Sequence, residues 1–144
     1  MKVIIAGSRT IDWEAFIEMW TLLPNKVTTS ITEVVSGAAK GPDKHGEVVA
    51  KHNKIPIAQF PAMWGIHGKR AGILRNMDMG NHADAAILFW DGESRGTEHM
   101  KEFMIGLDKP IIVITRKENE QESSITYYGE WNTLPARDPA DSAY

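Results

Sequence analysis

The sequence predicts an α/β protein with a Rossmann-like, three-layer, doubly wound parallel sheet of about five strands in a single domain. Short apolar runs without polar alternation, such as residues 85–90 and 111–115, are typical of strands buried on both faces of a parallel sheet. Between the runs stand segments whose apolar residues recur at helical spacing. This regular alternation of strand and helix favours parallel strands joined by right-handed crossovers.

The first strand is predicted at residues 3–6, and it ends at a loop of small and polar residues, 7–10. Asp12 has the residue type and the position of a helix N-cap. The helix that follows keeps one apolar face, which is formed by Trp13, Phe16, Ile17, Trp20 and Leu23.

A short second strand at residues 33–35 runs into a second glycine-rich turn, residues 36–43. Pro42 suits the first position of a helix, where its missing N–H group is not needed. The third strand is predicted at residues 55–60, and Pro56 places its start either at an edge of the sheet or at the first position of the strand.

Residues 61–68 are predicted to form a loop, and residues 69–81 a helix with an apolar inner face of Ala71, Leu74 and Met77. The fourth strand, residues 85–90, leads through a polar loop to a helix that reaches Leu107. The fifth strand follows at residues 111–115.

After Arg116 the chain becomes charged and polar, at residues 117–124, so residues 1–116 are predicted to form the domain. Residues 117–144 are predicted to be a polar C-terminal extension, partly ordered at most. Within it, Tyr127, Tyr128 and Trp131 are expected in a small docked element, and residues 135–144 in a loose tail.

Composition narrows the class of protein. A chain of 144 residues with 42% hydrophobic residues is long and apolar enough for one hydrophobic core. The formal charge of -3 argues against a general nucleic-acid binder. The absence of cysteine excludes disulfides and thiolate metal sites, and no apolar run is long enough to span a membrane. We therefore expect a cytoplasmic protein without a membrane partner.

Three loops are predicted to meet at the carboxyl edge of the sheet, where doubly wound proteins bind ligands: residues 7–10, 36–43 and 91–97. Two of these loops carry an arginine, a side chain that grips phosphate or carboxylate with two parallel hydrogen bonds. The third loop opens a helix, whose free amide groups favour an anion. The candidate ligand-binding residues are Gly7, Ser8, Arg9, Ser36, Gly37, Gly41, Asp43, Arg75, Asn76, Asp91, Gly92, Ser94, Arg95, Gly96 and Thr97.

The candidate catalytic residues are Glu98, His99 and Arg75, but no recognised catalytic motif assigns a reaction to them. The loops contain neither a Walker motif nor a complete G-x-G-x-x-G. The five histidines are scattered and show no metal-binding spacing, so we expect no metal and no bound cofactor. Whether the protein is an enzyme stays open.

Several separated segments together resemble a known family: residues 1–10, 36–43, 60–76 and 83–99. They are similar to the DUF2493 group, a bacterial and phage family related to the SLOG superfamily of Rossmann-like nucleotide-binding proteins. The resemblance covers residues 1–116. It implies a Rossmann-like fold and a nucleotide or nucleotide-derived ligand at the glycine-rich loops, and it supplies no reaction.

The lonely-guy phosphoribohydrolases, which release a base from a nucleoside monophosphate, are more distant relatives in this resemblance. Arg75 matches the arginine of their motif, and Gly96-Thr97 matches its Gly-Thr pair. Asn76 replaces their lysine and Met100 stands at the position of their catalytic glutamate, which puts the hydrolase chemistry in doubt because a thioether cannot transfer a proton. DNA-processing protein A is another relative, but the acidic charge argues against DNA binding here.

Three functions follow from these patterns. The leading one is a sensor or processing module that binds a nucleotide or a nucleotide-derived phosphorylated ligand. The first alternative is a nucleotide hydrolase that cleaves an N-glycosidic or a phosphoester bond, and the second is an interaction protein with a vestigial site. A homodimer is expected because related folds commonly pair through the helices that flank the sheet.

Overall fold

A computed structural model describes residues 1–131 of the chain. A six-stranded sheet forms its middle layer, in the order β3-β2-β1-β4-β5-β6. The strands are β1 (Lys2–Gly7), β2 (Glu33–Ser36), β3 (Ile57–Gln59), β4 (Ala85–Trp90), β5 (Ile111–Thr115) and β6 (Ser124–Tyr128). The α-helices are α1 (Trp13–Trp20), α2 (Asn25–Thr28), α3 (Pro42–His52), α4 (Trp64–His67), α5 (Ala71–His82) and α6 (Arg95–Gly106), and a 3₁₀ turn, Gly68–Arg70, precedes α5.

The central strand β1 pairs in parallel with both β2 and β4, so that Val3 lies between Val34 and Ala85. The strands β1 to β5 are all parallel, which confirms the predicted α/β fold with a doubly wound sheet. The sheet has one strand more than the five predicted, because β6 pairs antiparallel with β5, Ile111 opposite Tyr128. This edge strand is mostly exposed and lacks the continuous apolar run that marks the inner strands.

Each face of the sheet covers its own hydrophobic core. Ile5, Phe16 and Phe89 lie in one core, and Ile4 and Met104 lie in the other. Successive strand residues alternate between the two cores because their side chains point to opposite faces. Every residue from 85 to 89 is fully buried, as expected for a strand covered by helices on both sides.

Local signals in the sequence place three of the elements. The carboxylate of Asp12 accepts a hydrogen bond from the amide of Ala15 over 2.9 Å, so the predicted N-cap of α1 is confirmed. Pro42 is the first residue of α3, as its missing N–H group favours. Strand β3 lies at the edge of the sheet and begins directly after Pro56, which agrees with the edge position, one of the two that Pro56 allows.

Besides the additional strand, two details differ from the sequence-based expectations. The side chain of Met77 is 37% exposed, whereas Met79 is buried, so the predicted inner face of α5 is wrong at Met77. The buried face of α5 includes a glycine and an asparagine, because Gly80 packs closely against Phe103 and Asn76 is hydrogen-bonded to α6. The segment 61–68, predicted as a loop, contains the short helix α4.

Beyond β6, Trp131 donates a hydrogen bond from Nε1 to Ser30 Oγ over 2.9 Å. The tail predicted at residues 135–144 lies outside the described residues. Within the described part of the chain, no helix is long and apolar enough to cross a membrane.

Candidate functional site

A cleft of about 510 Å³ lies at the carboxyl edge of the sheet, beside the ends of β1 and β4. The chain runs from β1 towards β3 on one side of this point and from β4 towards β6 on the other. Ligands of doubly wound proteins bind at such a reversal of strand order. Eleven of the predicted site residues line the cleft: Gly7, Arg9, Asp43, Arg75, Asn76, Asp91, Ser94, Arg95, Gly96, Thr97 and His99.

The cleft brings together two arginines that lie far apart in the sequence. Arg9 follows β1, Arg95 opens α6, and both side chains are exposed and line the cleft. Among the described residues, neither guanidinium group has a hydrogen bond or an ion pair to the protein. Both groups therefore keep their donors available to a bound molecule.

Arg75 approaches the same cleft from α5 and is half-buried. Its Nη1 donates to the carbonyl oxygen of Gly37 over 2.7 Å, and its Nε donates to Asn76 Oδ1 over 3.1 Å. Burial lowers the pKa of Arg75, the carboxylate of Asp43 opposes this shift, and the positive charge of Arg9 adds to it. Arg9 and Arg75 therefore repel each other, and an anion between them would relieve the repulsion.

Asp43 is a buried carboxyl group on the wall of the cleft, with an exposed fraction of 4%. Burial raises its pKa to about 6, against the opposing effects of Arg75 and of hydrogen bonds from the amides of Ala39, Gly7 and Gly37. Gly7 ends β1, and Gly37 and Ala39 belong to the loop after β2, so Asp43 ties the end of β1 to that loop.

Gly37 allows Arg75 and Asp43 to approach each other. A Cβ atom at Gly37 would lie 2.6 Å from Arg75 Nη1 and 2.6 Å from Asp43 Oδ2, closer than atoms pack. Gly41 has a similar role between the loops: its φ of 94° lies in the left-handed region, and a Cβ there would lie 3.1 Å from the Cα of Arg9.

Asp91 joins the loop after β1 to the loop after β4. Its Oδ2 accepts from Thr10 Oγ1 over 3.0 Å, and its Oδ1 accepts from the amides of Glu93 and Ser94 over 2.9 and 2.8 Å. Burial raises the pKa of this carboxyl group, but these hydrogen bonds and one with Ser8 together hold it below its ordinary value. Asp91 is therefore a charged side chain whose hydrogen bonds hold the two loops of the cleft together.

Ser8 and Ser36, both predicted to contact the ligand, do not line the cleft. Ser8 is 1% exposed, and its Oγ accepts from the amide of Asp91 over 3.0 Å. Ser36 is fully buried and donates from Oγ to Glu47 Oε2 over 2.6 Å. Both hydroxyl groups lie behind the cleft wall, where they hold the loops in place.

Helix α6 points its first turn at the cleft. Ser94 is its N-cap and accepts from the amide of Thr97 over 3.5 Å. The amides of Arg95 and Gly96 have no acceptor within the helix, and the positive end of the helix dipole lies with them. Nothing lies within 4 Å of the position where a Cβ of Gly96 would stand, so the space beside the Cα of Gly96 is open.

Only two of the three candidate catalytic residues line the cleft. Arg75 and His99 line the cleft, whereas Glu98 is exposed and does not line it. Asn76 Nδ2 donates to the carbonyl oxygen of Gly96 over 3.1 Å and lies 3.3 Å from His99 Nδ1, so this side chain of α5 holds the imidazole of α6 in place.

Three predicted glycines do not line the cleft either. Gly37 and Gly41 shape the loops behind it, and Gly92, with a φ of 85°, turns the chain near Lys117. Of the residues described, no group of histidines and carboxylates is arranged to hold a metal ion.

Sequence reasoning missed part of the wall. Lys69 and Trp64 belong to the segment between β3 and α5, which folds over the cleft. The sequence carries no signal for this contact, because a connecting segment between a strand and a helix has no register that fixes its position. The other lining residues outside the prediction are Ala6, Thr10, Ala39, Gly72, Ile73 and Met100.

No family model matches the chain. The chain is 33% identical over 106 residues to the "Gene 61 protein" of Mycobacterium phage D29, a match that covers 68% of this chain and 83% of the phage protein. No solved structure matches. The name of the phage protein states no activity.

Proposed function

We propose a function for this chain, which belongs to the family of the Gene 61 protein of Mycobacterium phage D29: it binds a nucleotide or a nucleotide-derived phosphorylated ligand in the cleft. One observation carries the proposal. Arg9 and Arg95, without partners among the described residues, line one cleft from two separate loops. Two guanidinium groups placed in this way match the oxygens of a phosphorylated ligand.

The charge of the lining supports an anionic ligand. In the described part of the chain, the cleft is lined by four cationic side chains, Arg9, Lys69, Arg75 and Arg95, and by two carboxylates. The chain as a whole carries a formal charge of -3, so the cleft is positive within an acidic protein. Both carboxylates are already hydrogen-bonded to backbone amides, which limits their repulsion of a bound anion.

The remaining features favour a nucleotide over a bare anion. A volume of about 510 Å³ falls within the range of small-molecule sites and far exceeds a phosphate ion. The amides of the first turn of α6, which have no acceptor within the helix, suit a phosphate. The resemblance to the DUF2493 group of the SLOG superfamily supports the same ligand class, and we include membership of that group in the proposal.

Isothermal titration calorimetry tests the proposal directly. The protein is titrated with nucleoside mono-, di- and triphosphates, with ADP-ribose and with inorganic phosphate. We expect saturable binding of at least one phosphorylated compound. Folded protein that binds none of them would contradict the proposal.

A nucleotide hydrolase is the second candidate, because the buried carboxyl group of Asp43 has a pKa raised to about 6 and lines the cleft with His99. Perturbed ionisable groups in a cleft are frequent in active sites. Chromatography of nucleotides incubated with the protein detects a released base or phosphate. Turnover that disappears in His99→Ala would favour the hydrolase, and its absence from every nucleotide that binds would favour a binding module.

We also propose that the protein forms a homodimer. Helices α5 and α6 pack against each other, and Met77 on α5 and Ile105 on α6 are 37% and 43% exposed. Apolar side chains on neighbouring helices that flank the sheet support an interface there.

A further inference from the structure

We propose that Trp64 and Ile73 form a subsite for a planar ring, so that the ligand carries a nucleobase in addition to its phosphate. This inference rests on the proposed function, because it assigns a second part of the same ligand to the same cleft. Both side chains line the cleft, and they are 53% and 50% exposed.

The indole of Trp64 lies beside Gly72 of α5. A Cβ atom at Gly72 would lie 3.5 Å from Trp64 Cη2, which is ordinary van der Waals contact, so the ring lies against the first turn of α5. Helix α4 packs on the same helix and holds the tryptophan there. More than half of the side chain nevertheless remains exposed, and this surface is open to a stacked ring.

Ile73 extends this apolar surface along α5. It follows Gly72 directly and lines the cleft with Trp64. Exposed apolar side chains that line a cleft are typical of ligand-binding sites. They line the same cleft as Arg9 and Arg95, so a molecule complementary to the cleft has an anionic part and a planar apolar part. A nucleotide has both parts, whereas a sugar phosphate lacks the ring.

Stacking of a base on an aromatic side chain strengthens binding by roughly tenfold to a hundredfold. We therefore expect at least one of the four common nucleoside monophosphates to bind at least tenfold more tightly than ribose 5-phosphate. The comparison isolates the ring, because the two compounds share the sugar and the phosphate.

Calorimetry of three variants completes the experiment. We expect Trp64→Phe to keep most of the preference for the nucleotide, and Trp64→Leu to reduce the nucleotide affinity to that of ribose 5-phosphate. Ile66→Ala is the matched control, because Ile66 is on the same short helix and is 71% exposed but does not line the cleft. Quenching of tryptophan emission by the nucleotide in the unmodified protein, lost in Trp64→Phe, gives an independent readout.

The failures of the two proposals are distinguishable. If ribose 5-phosphate binds as tightly as every nucleotide, or if Trp64→Leu weakens both compounds equally, the subsite is overturned while anion binding stands. If none of the nucleotides and sugar phosphates binds, the proposed function fails and the subsite fails with it. A change of oligomeric state in Trp64→Leu, with the nucleotide affinity unchanged, would assign the exposed indole to a contact between copies and would also overturn the subsite.

Discussion

Arg75 donates a hydrogen bond from Nη1 to the carbonyl oxygen of Gly37 over 2.7 Å, and this bond ties α5 to the loop after β2. The bond needs glycine at position 37, because a Cβ there would lie 2.6 Å from the same Nη1 atom. The position of Arg75 in the cleft therefore depends on a residue that does not itself line the cleft.

The first prediction is that Gly37→Ala destabilises the protein. The added methyl group overlaps Arg75 and Asp43, and overpacking of a buried position costs about 1–3 kcal/mol of the free energy of unfolding. Urea unfolding followed by circular dichroism measures the loss. Gly106→Ala is the control, since nothing lies within 4 Å of a Cβ at Gly106. Equal stabilities of the two variants would show that Gly37 is not the close contact described.

The second prediction is that Arg95→Ala weakens binding of the phosphorylated ligand by about tenfold to a hundredfold, the value of one hydrogen bond between charged groups. Arg70→Ala is the matched control: it removes the same charge from an exposed residue that does not line the cleft. Calorimetry measures both affinities. Equal losses in the two variants would indicate a diffuse electrostatic effect in place of a contact by Arg95.

The third prediction concerns Gly96, in the first turn of α6. Gly96→Ala is expected to stabilise the protein by up to about 1 kcal/mol, because alanine favours the helix and the space around the Cβ is open. The same methyl group is expected to weaken ligand binding, since it stands in the cleft beside the free amides. Thermal unfolding and calorimetry measure the two effects. Unchanged affinity in the stabilised variant would place the ligand away from α6.

The fourth prediction is a pH dependence of stability caused by Asp43. Its pKa rises from an ordinary value of 3.8 to about 6 in the folded protein, so between these values the folded state binds more protons than the unfolded state. Stability therefore falls as the pH rises from about 4 to about 6, and this group accounts for about 3 kcal/mol of the fall.

Asp43→Asn removes this dependence while keeping the shape of the side chain. We expect the free energy of unfolding of the variant, relative to the unmodified protein, to increase between about pH 4 and about pH 7. Urea titrations at a series of pH values measure the difference, in which the contributions of other ionisable groups cancel. A difference that stays constant across the series would contradict the raised pKa.

The fifth prediction is that Ile105→Glu dissociates the proposed homodimer. A charge at the interface between copies loses its hydration on association, which opposes dimer formation. Size-exclusion chromatography with light scattering measures the mass. Val48→Glu is the control, because Val48 is 48% exposed on α3, outside the proposed interface. If the unmodified protein has the mass of a monomer, the proposed homodimer is contradicted.

Much of the fold is predictable because its signals are local. The apolar runs at Ala85–Trp90 and Ile111–Thr115 mark strands covered on both faces, and Asp12 and Pro42 mark helix starts. The meeting of Arg9 and Arg95 is a consequence of that topology, since the carboxyl ends of parallel strands share one edge of the sheet.

The remaining features depend on packing that no local pattern records. A serine in a glycine-rich loop looks the same in sequence whether it faces a ligand or, like Ser36, bonds to a buried carboxylate such as Glu47. The position of Trp64 depends on how the segment after β3 folds over the cleft. Strand β6 forms by backbone pairing with β5, which requires no apolar run.

The pairing of β6 with β5 also bears on self-association. In a chain that ended at Arg116, the N–H and C=O groups along one side of Ile111–Thr115, an apolar strand, would be left unpaired. Such a strand is a template for intermolecular β-pairing and aggregation. The largely exposed residues of Ser124–Tyr128 pair with this side of β5 within the same molecule. The segment that was predicted as an extension therefore prevents β5 from pairing with a strand of another molecule.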